Sequence, residues 1–311
     1  MTKLIQRTLL AVALCFLFAC ESYRTPDGDL EAGGDWTSSG GDSWTPDGDN
    51  GDAQDDDDTS GDDDDTSGDD DTSSDDDDVD LLQEAKESLV GFYAMRARVA
   101  RIQELPVFGE TPAVTVSLGI SEIYWQGGDL MLSEIGCHVE VDSDSVETII
   151  PDAIPQSTPA RVARINVFEN DNGSFSWTRD RMSMAVGVTL EDANSEALPT
   201  SSDDERVFDQ DNDGQPGITI FVNAMFSGEV YAVQRQRDEY VEGVVEEGEL
   251  SALITDTSEQ SVIGASIFAL DTNLVQSNDP DESKSFIVMK HLDSVLTCDE
   301  LFPLLDTIFI E

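Results

Sequence analysis

From residue 91 onward the chain alternates. Val114, Val116, Leu118 and Ile120 stand between Thr115, Ser117, Gly119 and Ser121, and Ile218, Ile220, Val222, Ala224 and Phe226 repeat the rhythm. Period-two alternation is the pattern of a strand with one buried face. Further strands are predicted at 91–103, 129–141, 162–169, 174–179, 181–190, 229–237, 261–269 and 284–291. Turn-forming clusters such as "QGGD", "NDNG" and "NDPDES" separate many of them. The two ends of the domain depart from this period. Asp80 and Gln83 sit like an N-cap and its N3 partner before a stripe of Leu81, Leu82, Ala85 and Leu89, which predicts a short helix. Leu301, Leu304, Leu305 and Ile308 predict another at the C-terminus.

So many strands with short connections predict an all-β domain over residues 81–311, an antiparallel barrel or a sandwich with short flanking helices. A meander of eight to ten long strands favours the closed up-and-down barrel, of the lipocalin kind, because closure removes exposed sheet edges.

Residues 20–80 follow another rule. Between 25 and 80 there are 24 acidic residues and no Lys or Arg, with "TPDGD" twice and a run "DDDDTSGDDDDTSGDDD". Such a segment has too little apolar area to offset chain entropy, and its like charges keep it extended, so it is read as a disordered acidic tether. As a neutral coil it would span ~45 Å, and fully stretched ~200 Å. The excess of acid is not confined to it: the whole chain carries 67 acidic against 16 basic residues, a net charge of −51, and residues 81–311 have 42 against 13. That field repels nucleic acid and anionic lipid headgroups and attracts divalent cations and basic proteins.

The first 19 residues have Lys3 and Arg7, then an apolar run from Leu9 to Ala19, the layout of an export signal and too short for a permanent membrane span. The run ends in Leu17-Phe18-Ala19-Cys20, which resembles the lipobox of bacterial lipoproteins. The resemblance implies cleavage before Cys20 and acylation of that cysteine, which gives a membrane partner through a lipid anchor. Glu21 stands where the family's inner-membrane retention signal usually has Asp, which favours the outer membrane, on its periplasmic or its exterior side. Cys15 leaves with the leader, and Cys137 and Cys298 remain as an even pair in a disulfide-permissive compartment.

"DQDNDGQPGITI" carries the main candidate chemistry. Asp209, Asp211 and Asp213 alternate and Gly214 follows, with the Gln215 carbonyl as a further oxygen, as in the first half of an EF-hand loop. The segment also resembles acidic loops beside strands in uncharacterised bacterial surface lipoproteins. Ile220 occupies the position where an EF-hand has its bidentate Glu, and a strand follows instead of a helix, so the loop is not an EF-hand. Two readings stand: a shortened calcium site taking outside ligands from Asp203, Asp204 or Glu205, and an Asx-rich turn that opens a strand.

Arginine is the second candidate. Arg96/Arg98, Arg179/Arg181 and Arg235/Arg237 are spaced i, i+2, so on strands each pair faces one way. Lining a lumen, they would bind a carboxylate or phosphate; otherwise they pair with surface carboxylates. Enzyme signatures are thin: two histidines, His138 and His291, without zinc spacing, and no nucleophile elbow or phosphate loop. Tyr124, Trp125 and Trp177 suit sugar stacking or plain packing. These features favour a displayed binding or structural domain over a small-ligand carrier, and a hydrolase least.

Overall fold

The computed structural model describes residues 80–105 and 109–310. The expected export signal, Cys20 and the expected acidic tether up to residue 79 lie outside the described residues.

Helix α1 (Leu81–Ser88) starts where the Asp80 side chain accepts a hydrogen bond from the Gln83 amide at 3.0 Å. Strands follow: β1 (Gly91–Leu105), β2 (Gly109–Gln126), β3 (Asp129–Asp142), β4 (Glu147–Ile149), β5 (Arg161–Glu169), β6 (Phe175–Val186), β7 (Ile218–Asn223), β8 (Ser227–Glu246), β9 (Glu249–Asp256), β10 (Glu259–Ala265), β11 (Val275–Asn278) and β12 (Phe286–Leu292). Helix α2 (Ala153–Ser157) lies between β4 and β5, and α3 (Cys298–Leu301) and α4 (Leu305–Ile308) close the chain.

All twelve strands join one sheet with antiparallel pairings, in the order β11-β1-β12-β9-β8-β6-β5-β3-β4-β7. β2 pairs with both β1 and β3, β10 pairs with β8, and β7 pairs with β8 as well as β4. The domain is therefore all-β, with a few short helices.

The expected up-and-down barrel is corrected by this sheet. An up-and-down barrel pairs strands in sequence order around a hollow. Here β4, β7, β10 and β11 pair in addition to the run of long strands, so that β8 alone takes four partners, β6, β7, β9 and β10. Among the described residues the interior is packed as well: Leu132, Trp177, Tyr240, Ile287 and Met289 fill the main core, each exposed by 2% or less. A lipocalin-like carrier needs that space empty.

Packed layers describe the rest. The first half of β8 is buried on both faces. Val230 and Ala232 pack with Ile218, Ile220 and Val262, while Val233 packs with Val188 and Ile263. The C-terminal helices cover β1, β2 and β3 from outside, with Leu301 and Phe309 against Ala94, Ile120 and Cys137.

Candidate functional site

After Val186 the chain leaves the sheet and returns at Ile218. The stem of this excursion needs glycine. Gly187 and Gly217 have φ of 74° and 81°, and a Cβ on Gly217 would stand 2.3 Å from the Ala232 carbonyl oxygen. Gln210 pins the returning limb. Its buried side chain accepts from the Gly187 amide at 3.2 Å and donates to the Ser157 carbonyl at 3.0 Å.

On that limb the acidic loop turns through Asn212 (φ 58°) and Gly214 (φ 89°). One carboxylate oxygen each of Asp209, Asp211 and Asp213 lies within 4.8 Å of the others. Backbone donors hold the group: Asp213 and Gly214 amides to Asp209 at 3.2 and 2.9 Å, Gln215 to Asp213 at 2.8 Å, and Thr219 to Asp211 Oδ2 at 3.2 Å. The other oxygen of Asp211, Oδ1, is buried and accepts nothing. Burial pushes the Asp211 carboxyl up, and the charges of Asp213 and Asp209 add to it against the Thr219 hydrogen bond. Three converging carboxylates, one with an idle buried oxygen, form a group able to coordinate a metal ion.

Of the outside ligands expected from the sequence, Asp204 is spent. It accepts from Arg206 Nε and Nη2 at 2.9 and 2.7 Å, and these bonds hold its carboxyl at about 2. Asp203 and Glu205 are exposed and stand outside the acidic group, and Gln215 meets Asp213 through its amide.

The three arginine pairs meet different surroundings. The register of β6 with β8 shifts between Arg179 and Met182. Arg179 is fully buried, whereas Arg181 is half-exposed beside Glu239 at 2.6 Å. Arg96 lies over the Phe309 ring at 5.0 Å, and Arg98 shares its strand. Arg235 and Arg237 stand on the outer face of β8, away from the main core. None lines a lumen.

Arg179 instead belongs to a buried network that the sequence did not reveal. Glu134 and Arg161 are direct cross-strand partners on β3 and β5. Arg161 hydrogen-bonds Asp238, and Arg179 Nη2 lies 3.1 Å from Asp238 Oδ2. The Arg179 guanidinium stacks 3.8 Å from the centre of the Tyr240 ring, and the Tyr240 hydroxyl donates to Glu134 at 2.5 Å. Two cations and two anions balance. Burial alone would raise the Asp238 carboxyl, but Arg161 and Arg179 more than offset it and hold it low. The Tyr240 hydroxyl is raised far above its ordinary value by burial, with Glu134 adding to the effect. One signal was available: Glu134 continues the inward series Leu130, Leu132, so the alternation itself places it inside.

Cys137 and Cys298 are disulfide-bonded, with Cα atoms 5.3 Å apart. His138 meets Asp152 at 2.6 Å and His291 packs edge-on to Tyr93. Trp177 is core, donating to the Val244 and Ser251 carbonyls. No family model, curated protein or solved structure matches the chain, so its function is read from these residues alone.

Proposed function

We propose that the chain is a bacterial outer-membrane lipoprotein, held by acylated Cys20, whose acidic stalk displays a calcium-stabilised binding or structural β domain. The leader and the Leu17-Phe18-Ala19-Cys20 motif support the anchor. The calcium part rests on one observation: three aspartate oxygens within 4.8 Å of one another, beside a buried Asp211 oxygen that accepts no hydrogen bond. Carboxylate oxygens suit a hard cation, and an extracellular module of this kind binds calcium at ~0.1–1 mM. The hydrogen bonds that Asp209 accepts from Asp213 and Gly214 favour a second reading, a turn that holds its shape without an ion.

Melting of the full-length chain separates the two. Calcium at ten times the dissociation constant adds about 1.4 kcal/mol to a native-state binder. For a domain this size that raises Tm by ~3–6 °C. Magnesium at equal ionic strength controls for screening of the acidic surface. The stalk collects calcium in parent and variant alike, so the difference between them reports the loop. Asp211→Asn with Asp213→Asn should abolish the calcium-specific rise. Equal responses to both ions, unchanged in the variant, would establish the turn.

A further inference from the structure

The excursion between β6 and β7 also roofs an outer face of the sheet. Strand alternation puts Val233, Arg235 and Arg237 of β8 on that face. Their cross-strand partners are Ser183 and Ala185 on β6, and Glu259 and Ser261 on β10. Val188, Leu198 and Val207 of the excursion pack on Val233 and Ile263. Asn194 closes over the arginines: its carbonyl accepts from Arg237 Nη2 at 2.6 Å, and its side chain accepts from Ser183 at 2.8 Å.

Beneath this cover Arg235 is 4% exposed. Its Nη1 donates to Glu259 Oε2 at 3.2 Å. Its Nε and Nη2 are buried and donate to nothing, and the same holds for Nε of Arg237 and the hydroxyl of Ser261. A guanidinium offers Nε and Nη2 side by side, the spacing that meets two oxygens of a carboxylate or phosphate in parallel bonds. The idle half of Arg235 is that fork. Leaving it dry and unpaired is costly. Glu259 already occupies the other edge. Asp192, near enough for Arg235 to lower its carboxyl, is first held by the Ser195 hydroxyl and the Asn194 amide. Arg179 differs here, because Glu134 and Asp238 face its free edge.

We propose that Arg235, Arg237 and Ser261 form a binding site for a small oxyanion, a carboxylate or inorganic phosphate, enclosed by the excursion between β6 and β7. The Arg235 fork grips two oxygens, and Arg237 Nε and Ser261 Oγ complete the shell. Ser261 stands diagonal to Arg235 across the β8–β10 pair, a separation of ~7–8 Å that an arginine side chain spans. Entry requires the excursion to lift, and the negative surface excludes polyanions, so the site selects small ligands.

The test is a thermal titration of the full-length chain at constant ionic strength with EDTA present, which silences any calcium response. Inorganic phosphate and acetate are compared with chloride. A saturable rise in Tm with phosphate or acetate, absent with chloride, is expected, and the larger response identifies the class. Arg235→Lys keeps the charge and loses the fork, and should weaken the apparent affinity tenfold or more. Ser261→Ala and Arg237→Gln should each weaken it several-fold, and they carry the test should Arg235→Lys not fold. No rise above chloride in the parent would overturn the site, water then filling the fork. An equal rise in every folded variant would overturn it too, by placing the anion elsewhere.

Discussion

Replacing Arg179 with Met probes the buried network. The Arg179 side chain has 0% exposure, and Glu134 has 1%. Removing this cation leaves Glu134 and Asp238 to share Arg161 alone. Breaking a buried ion pair from one side costs ~3–5 kcal/mol, because the abandoned charge stays desolvated. At ~2–4 °C per kcal/mol, the melting temperature should fall by roughly 6–20 °C. Adding Glu134→Gln restores neutrality, and the new carbonyl still accepts from Tyr240, so much of the loss should return as a coupling of ~0.5–3 kcal/mol. The pH dependence carries a second signature. In the parent, the folded Asp238 carboxyl lies below 3.8, so its stabilisation is present above that pH and is lost as the pH falls through the folded value. In Arg179→Met the Asp238 carboxyl loses one of its two cations while its burial remains, so it rises instead, and acidification from pH 7 towards 5 should narrow the gap to the parent. Urea melts at both pH values for parent, single and double variants measure all of this. A loss below 1 kcal/mol for the single variant, or no recovery in the double, would refute the reasoning.

Three further outcomes follow from other features. Cys137→Ala with Cys298→Ala should cost about 2–5 kcal/mol, read by denaturant melts, with non-reducing peptide maps of the parent showing one joined peptide. Gly243→Ala should destabilise by ~1–3 kcal/mol and shift tryptophan emission to the red, because its Cβ would meet the Trp177 carbonyl oxygen at 2.4 Å. Cys20→Ser should end labelling by radioactive palmitate and release the protein from membranes; labelling that persists would refute the anchor.

Strands were legible wherever one face carried apolar residues without interruption, as in β1, β2, β3, β5 and β12. They were misread where charge goes inward. The sequence predicts residues 174–179 and 181–190 as two strands on either side of Asp180. They form one, β6, in which Arg179 is interior and a shift in register turns Arg181 outward. β8 was expected to stop at 237 but runs to Glu246, since Asp238 is buried against two arginines. β9 was missed although Leu250, Ala252 and Ile254 alternate inward, because the run is short and bounded by acids. β4 and β11 carry three and four residues, too few for a period. The aspartate group was legible because neighbours in sequence form it. The Glu134 network and the Arg235–Ser261 pair were not, because strand register, invisible in one sequence, brings their members together.

The bond between Cys137 and Cys298 closes a covalent ring across 161 residues, from within β3 to the start of α3. Both candidate sites and the exposed excursion between β6 and β7 lie inside that ring. A protease that cuts any loop there does not release a fragment: it turns one chain into two that stay joined. A nicked molecule would run at full size until reduced, and its severed halves would still hold the sheet between them. That makes the excursion expendable as a connection while it remains useful as a roof.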